Sequence, residues 1–204
     1  PQQLYEGKIT KLREKTQGQL VIKEYPTASA HSGHFKSLMN ELALKKSFRP
    51  DVIFIDYLNI CASSRFKGGN ISSYFYVKAI AEELRGLAVE FNVPIFSATQ
   101  TTRTGYVSTD IGLEDTSESF GLPATADFMF ALISNEELEA LGQMKVKQLK
   151  NRYNDPSINR AFIIGVDRAK MRLYDVQQKA GDIVDANQVD EKEDAYNKFS
   201  DFKI

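Results

Sequence analysis

Four apolar residues, Val52-Ile53-Phe54-Ile55, run straight into a carboxylate, Asp56, before Tyr57, Leu58 and Ile60 resume the apolar character. A short unbroken run of this kind reads as a strand buried on both faces, as in parallel sheets. An unpaired buried carboxylate is costly, so Asp56 needs a cation or hydrogen-bond donors close by. A helical pattern precedes the run at about 31–46, through Phe35, Leu38, Met39 and Leu42. Another follows from Ser72 or Ser73, either of which can cap it, through Val77, Ile80, Leu84, Leu87, Ala88 and Phe91. A second apolar strand, "VPIFSATQ" at 93–100, comes next. Strand–helix–strand alternation predicts an α/β fold with a mainly parallel sheet and helices on both faces. Ligands of such sheets gather outside the carboxyl ends of the strands, which is where Asp56 lies.

The rest of the chain adds a helix over 1–17, stopped by Gly18, and a short strand over 19–26, ended by Pro26. Residues 63–70 form a Gly-bearing loop, and 101–118 a long loop of no period. A strand at 127–133, a short capped helix at 134–141 and strands at 143–152 and 160–176 close the body, the last two as an antiparallel hairpin. Residues 1–176 are thus one domain. Periodicity fades from 177, and residues 182–204 hold seven acids against three lysines, which predicts a disordered acidic tail over 177–204. Removing the tail from the formal charge of −1 leaves 1–181 with 23 basic and 20 acidic side chains, so a mildly basic body is hidden behind a neutral total. Apolar runs are too short to span a bilayer, and the single cysteine, Cys61, excludes an intramolecular disulfide.

An apolar strand ending in an acid has the form of a Walker B strand, whose carboxylate holds Mg²⁺ beside nucleotide phosphates. The plainer reading is a strand ending at a solvated edge. Gln100 ends the neighbouring strand candidate, where an amide can reach a γ-phosphate or orient water; alone it is an ordinary loop entry. Lys150 and Arg152 in "LKNR" share a side at strand period and suit one polyphosphate, or else form a basic edge that resists aggregation. Between 143 and 172 there are eight basic residues and two acids, which is compatible with a polyanion-facing surface without requiring one. His31 and His34 have no third ligand at convincing spacing, which favours surface or capping roles. The sequence has no G-x-x-x-x-G-K-[ST], so a nucleotide-hydrolysing reading requires a P-loop upstream of Pro1, itself no natural initiator.

In series, "DVIFIDYLNICASSRFKGGN", "VPIFSATQTTRTGY", "DTSESFGLPATADFMFAL" and "KVKQLKNR" resemble the later motifs of DnaB-type replicative helicases, in particular those of T-even-like bacteriophages. The resemblance covers 1–176. It implies a RecA-like P-loop NTPase fold of which this chain is the C-terminal portion, without the P-loop strand. It implies ATP and Mg²⁺ as cofactors, with Asp56 as the Walker B carboxylate, Gln100 as γ-phosphate sensor, and Arg152 as arginine finger assisted by Lys150. Arg65, Lys67 and Arg103, in two channel loops, would meet single-stranded DNA. Implied partners are further copies in a hexameric ring and a primase, in a host bacterial cytoplasm; the acidic tail suits either a helicase loader or polymerase as partner, or solubility alone. On this reading the chain alone does not hydrolyse ATP. A RecA-like strand-exchange protein shares the acid and the glutamine, and a non-catalytic DNA-binding module is the other alternative.

Overall fold

A computed structural model describes residues 2–66, 71–101, 112–113, 121–155 and 158–176. Helix α1 covers Gln2–Lys15 and α2 covers Ser32–Lys46. Strand β1, Ile53–Ile55, leads through a 3-10 turn at Leu58–Ile60 to helix α3, Ser73–Phe91, and strand β2, Ile95–Ser97. A short helix α4, Gly121–Thr125, precedes strand β3, Phe128–Ile133, and helix α5, Glu136–Ala140. Strands β4, Gln143–Asn151, β5, Ala161–Asp167, and β6, Arg172–Asp175, complete the described chain.

The strands form two sheets. Strands β1 and β2 pair in parallel, Ile53 with Ile95 and Ile55 with Ser97, through the crossover helix α3. Strands β3-β4-β5-β6 form a four-stranded antiparallel sheet. The hairpin expected at the C-terminal end is therefore part of a larger unit: β3 joins it on one side, and Met171 in the left-handed conformation turns the chain back into β6 on the other. The fold is α/β, with a parallel pair, a separate antiparallel sheet and flanking helices.

One face of α3 makes the core. Val77, Ile80, Ala81 and Leu84 pack with Leu58, Cys61 and Leu122, and Phe35, Ile55, Tyr76 and Met129 pack around them. Cys61 is a buried filler, and its burial pushes the pKa of the thiol upward. The run 52–55 is not buried on both faces as its sequence suggests. Ile55 faces α3, whereas Phe54 is 72% exposed and stacks on Phe96 of β2, ring centroids 5.3 Å apart.

Local signals set the helix ends. His31 caps α2: its Nδ1 accepts from Gly33 N at 3.0 Å, and His31 N donates to His34 Nδ1 at 3.2 Å, a capping box built from two imidazoles. Asn135 caps α5 by accepting from Leu138 N at 2.8 Å. Ser72 occupies the N-cap position of α3, but its hydroxyl makes no cap bond, and Ser73 is already helical. The strand expected over 19–26 does not form: Leu20 and Ile22 are exposed and the segment pairs with no described strand, leaving its apolar run without an edge to join. The tail, 177–204, and most of the 101–118 loop lie outside the described residues.

Candidate functional site

Parallel pairing brings the ends of β1 and β2 side by side. Beyond the paired Ile55 and Ser97, Leu58 N donates to Ala98 O at 3.1 Å, and Ser97 Oγ donates to Ile55 O at 2.8 Å. Side chains continue this ladder. Thr99 Oγ1 donates to Asn59 Oδ1 at 2.8 Å, and Gln100 Nε2 donates to the Tyr57 hydroxyl at 3.1 Å. Asp56 and Gln100, 44 residues apart, thus flank one carboxyl-terminal edge. The peptide bond between Asp56 and Tyr57 is cis.

Asp56 is exposed and makes no hydrogen bond or ion pair among the described residues. No group of three or more His, Cys, Asp or Glu able to hold a metal occurs among the described residues. A lone carboxylate does fit Mg²⁺, which keeps several waters and is held through one or two carboxylates plus substrate phosphates.

Lys150 and Arg152 gather elsewhere, at the end of β4, and no described hydrogen bond or ion pair links them to Asp56 or Gln100. Both reach the last turn of α4, where helix carbonyls lack intrahelical partners. Lys150 Nζ donates to Pro123 O. Arg152 donates to Ala124 O at 2.7 Å and to Asp127 Oδ1 at 3.0 Å. Arg85 of α3 joins them, donating to Thr125 O at 2.7 Å and to the same Asp127 oxygen at 2.8 Å. Partial burial works against ionisation of Asp127, but Arg85 and then Arg152 outweigh it and hold its carboxyl below the ordinary value. Desolvation, then Arg152, lowers the pKa of Lys150. Three cations surround one carboxylate, and Arg152 and Arg85 keep more than two-fifths of their side chains exposed.

Of the candidate DNA contacts, Lys67 and Arg103 lie outside the described residues. Arg65 is ion-paired to Glu82 of α3 at 2.5 Å. The neighbouring Glu83 fastens the stem of the same loop. It accepts from the Ser32, Ser63 and Ser64 hydroxyls at 2.9, 2.6 and 2.7 Å, and from the Ser64 and Arg65 amides. Burial alone would raise its pKa, but these bonds dominate and hold it at about 2. Sequence reasoning missed Glu83, Arg85 and Asp127. Their partners are distant along the chain, and two of the three look like ordinary charges on a helix face.

No protein-family model matches the chain. It is 42% identical over 200 residues to the "DnaB-like replicative helicase" of Enterobacteria phage T4, a match that covers 95% of this chain. The chain spans 42% of that relative's length. Among solved structures, one of an isolated ATPase domain superposes with a TM-score of 0.62 at 18% identity, over 72% of this chain and 52% of that one. A DnaB-like replicative helicase studied for its interactions with primase superposes with the same score and identity, over 72% of this chain and 35% of that one.

Proposed function

We propose, from the premise that this chain is a relative of the DnaB-like replicative helicases with the fold of their ATPase domains, that it forms the Walker B, sensor and finger portion of a replicative DNA helicase. The observation that carries the proposal is the shared carboxyl-terminal edge of β1 and β2, which ends in Asp56, without a partner among the described residues, and in Gln100. Asp56 would hold a water-ligated Mg²⁺, which when bound neutralises developing phosphate charge. Gln100 would hydrogen-bond the γ-phosphate and pass its presence to the loop that follows it. Arg152, assisted by Lys150, would stabilise the phosphoryl-transfer transition state at a nucleotide held by the next subunit.

The working assembly would be a hexameric ring on single-stranded DNA, coupling Mg-ATP hydrolysis to translocation and unwinding, with Arg65, Lys67 and Arg103 toward the strand. A primase is the proposed partner. The acidic tail would meet a helicase loader, and the setting would be a host bacterial cytoplasm. A replicative-helicase relative supports this over a strand-exchange protein or a DNA-binding module.

No P-loop occurs in the sequence, so this chain is proposed to be inactive until one is supplied. The test is steady-state ATPase of the purified chain, alone and with a P-loop-bearing segment of the ATPase domain added in trans. Activity is expected only in the mixture, and Arg152→Ala should lower it about a thousandfold or more. Turnover by the chain alone, or full activity with Arg152→Ala, would defeat the proposal.

A further inference from the structure

Arg152 sits in a built environment. Its backbone N–H donates to Asp127 O at 3.0 Å, one step beyond the β3–β4 pair Phe128 with Asn151. Sheet register therefore places Asp127 opposite Arg152 before any side chain acts. The guanidinium then binds Asp127 through one terminal nitrogen and Ala124 O through the other. A guanidinium has five N–H donors in a fixed plane, so anchoring one edge leaves the remaining donors aimed as a unit. Asp127 is steadied in turn by Arg85, which shares its Oδ1 and also grips Thr125 O. Arg85 belongs to α3, whose buried face packs against Ile55 of β1 through Ile80 and Leu84. A continuous set of contacts thus joins the finger to the helix beneath the Asp56 edge.

We infer that Asp127 and Arg85 are positioning residues for Arg152, holding its guanidinium edge-on so that its outward donors meet a phosphate carried by a neighbouring subunit. The inference rests on the proposed role of Arg152. Neither residue touches the nucleotide; Asp127 sets the angle of the finger and Arg85 fixes Asp127. Among the described residues the cluster sets Arg85, Arg152 and Lys150 against the single carboxylate of Asp127, a balance that favours a polyanion even while Asp127 is engaged.

The experiment uses the assembled ATPase with its P-loop present and mixes subunits. Asp127→Asn and Arg85→Gln should each lower kcat about a hundredfold, the scale of a misplaced catalytic group, with the KM for ATP changed by less than about threefold. Asp127→Glu, which keeps the carboxylate, should recover a large part of the loss. Asp56→Asn subunits are expected to be inactive but to retain an intact finger. Mixed with Asp127→Asn subunits they should restore turnover at sites where they act on an Asp127→Asn neighbour, an effect that a folding defect in Asp127→Asn would not allow. Arg152→Ala mixed with Asp56→Asn is the control for the finger itself. Failure of that control pair overturns the trans-acting role of Arg152. Recovery by the control without recovery by the Asp127→Asn pair overturns the positioning inference, as does wild-type kcat in Asp127→Asn. Should Asp127→Asn melt well below the wild type, Arg85→Gln, a change at an exposed side chain, carries the same mixing test with the same two outcomes.

Discussion

Glu83 ties three separate stretches of chain together. Ser32 opens α2, Ser63 to Arg65 follow the 3-10 turn at Leu58–Ile60, and Glu83 itself lies on α3. Replacing it with Gln leaves an amide facing donors that need an acceptor. Loss of charge-assisted bonds, discounted for partial exposure, gives an expected cost of about 1–2 kcal/mol. The pH dependence has a definite sign. The folded pKa, about 2, lies below the unfolded value near 4.5, so the stabilisation is complete above the unfolded value and disappears as pH falls toward 2. Melting curves from pH 6 to pH 2 should show Glu83→Gln closing its gap to the wild type across that window. A gap that stays constant would show that the carboxylate charge is not the source. None of this is legible in the sequence, where Glu82-Glu83 looks like a solvated pair. Asp56 and Gln100 are legible because an apolar run and its polar stop are local signals, whereas Glu83, Arg85 and Asp127 acquire meaning only from partners tens of residues away.

Elements follow the same division. Helices α2 and α3 appear where the apolar period places them, since a buried stripe needs no knowledge of its partner to be read. The segment 19–26 carries the apolar run Leu20-Val21-Ile22 of a strand but has no edge to join, so pairing rather than propensity decides it. The antiparallel sheet is wider than the hairpin suggests because β3 and β6 are recruited by register, Ala131 with Lys147 and Val166 with Leu173. The same sheet shows why Gly165 is small: a Cβ there would enter the ring of Tyr174, its partner across β5 and β6. Gly165→Ala should therefore displace the ring of Tyr174, and because that side chain is 42% exposed the cost should stay under about 1 kcal/mol. Denaturant unfolding checks this, and pairing it with Tyr174→Ala isolates the cause, because the double variant should lose most of the clash. At the helical end, His31→Ala should cost about 1 kcal/mol through the lost α2 cap, while His31→Ser restores most of it. Equal losses in both variants would show that the ring's packing on His34, and not the cap, is what matters.

At the scale of the whole molecule, α3 links the proposed functions. Glu82 and Glu83 hold the loop stem that carries Arg65, Arg85 holds the finger cluster, and the buried side of the same helix underlies the Asp56 edge. A shift of this one rigid element would move the loop stem of Arg65 and the cluster of Arg152 together, as the proposed coupling of hydrolysis to translocation requires. The other face of the β1–β2 pair is occupied differently, by Phe54 and Phe96 stacked on each other at 72% and 50% exposure. Exposed aromatics contribute little to stability, because most of their area stays in water with or without folding. Phe54→Asn is therefore expected to change the unfolding free energy of this chain by less than about 1 kcal/mol. In the assembled ATPase the outcome should differ. A P-loop strand that joins the β1–β2 sheet brings its own crossover helix across one face, and the stacked phenyl rings are the apolar surface available to it. Burying a phenylalanine there is worth about 2 kcal/mol, so Phe54→Asn should weaken binding of a P-loop-bearing segment about thirtyfold. Titrating that segment against wild-type and Phe54→Asn chains, with ATPase as the readout, separates the two states. Equal affinity would place the segment elsewhere, whereas a large loss of stability in the isolated chain would make Phe54 part of its own core.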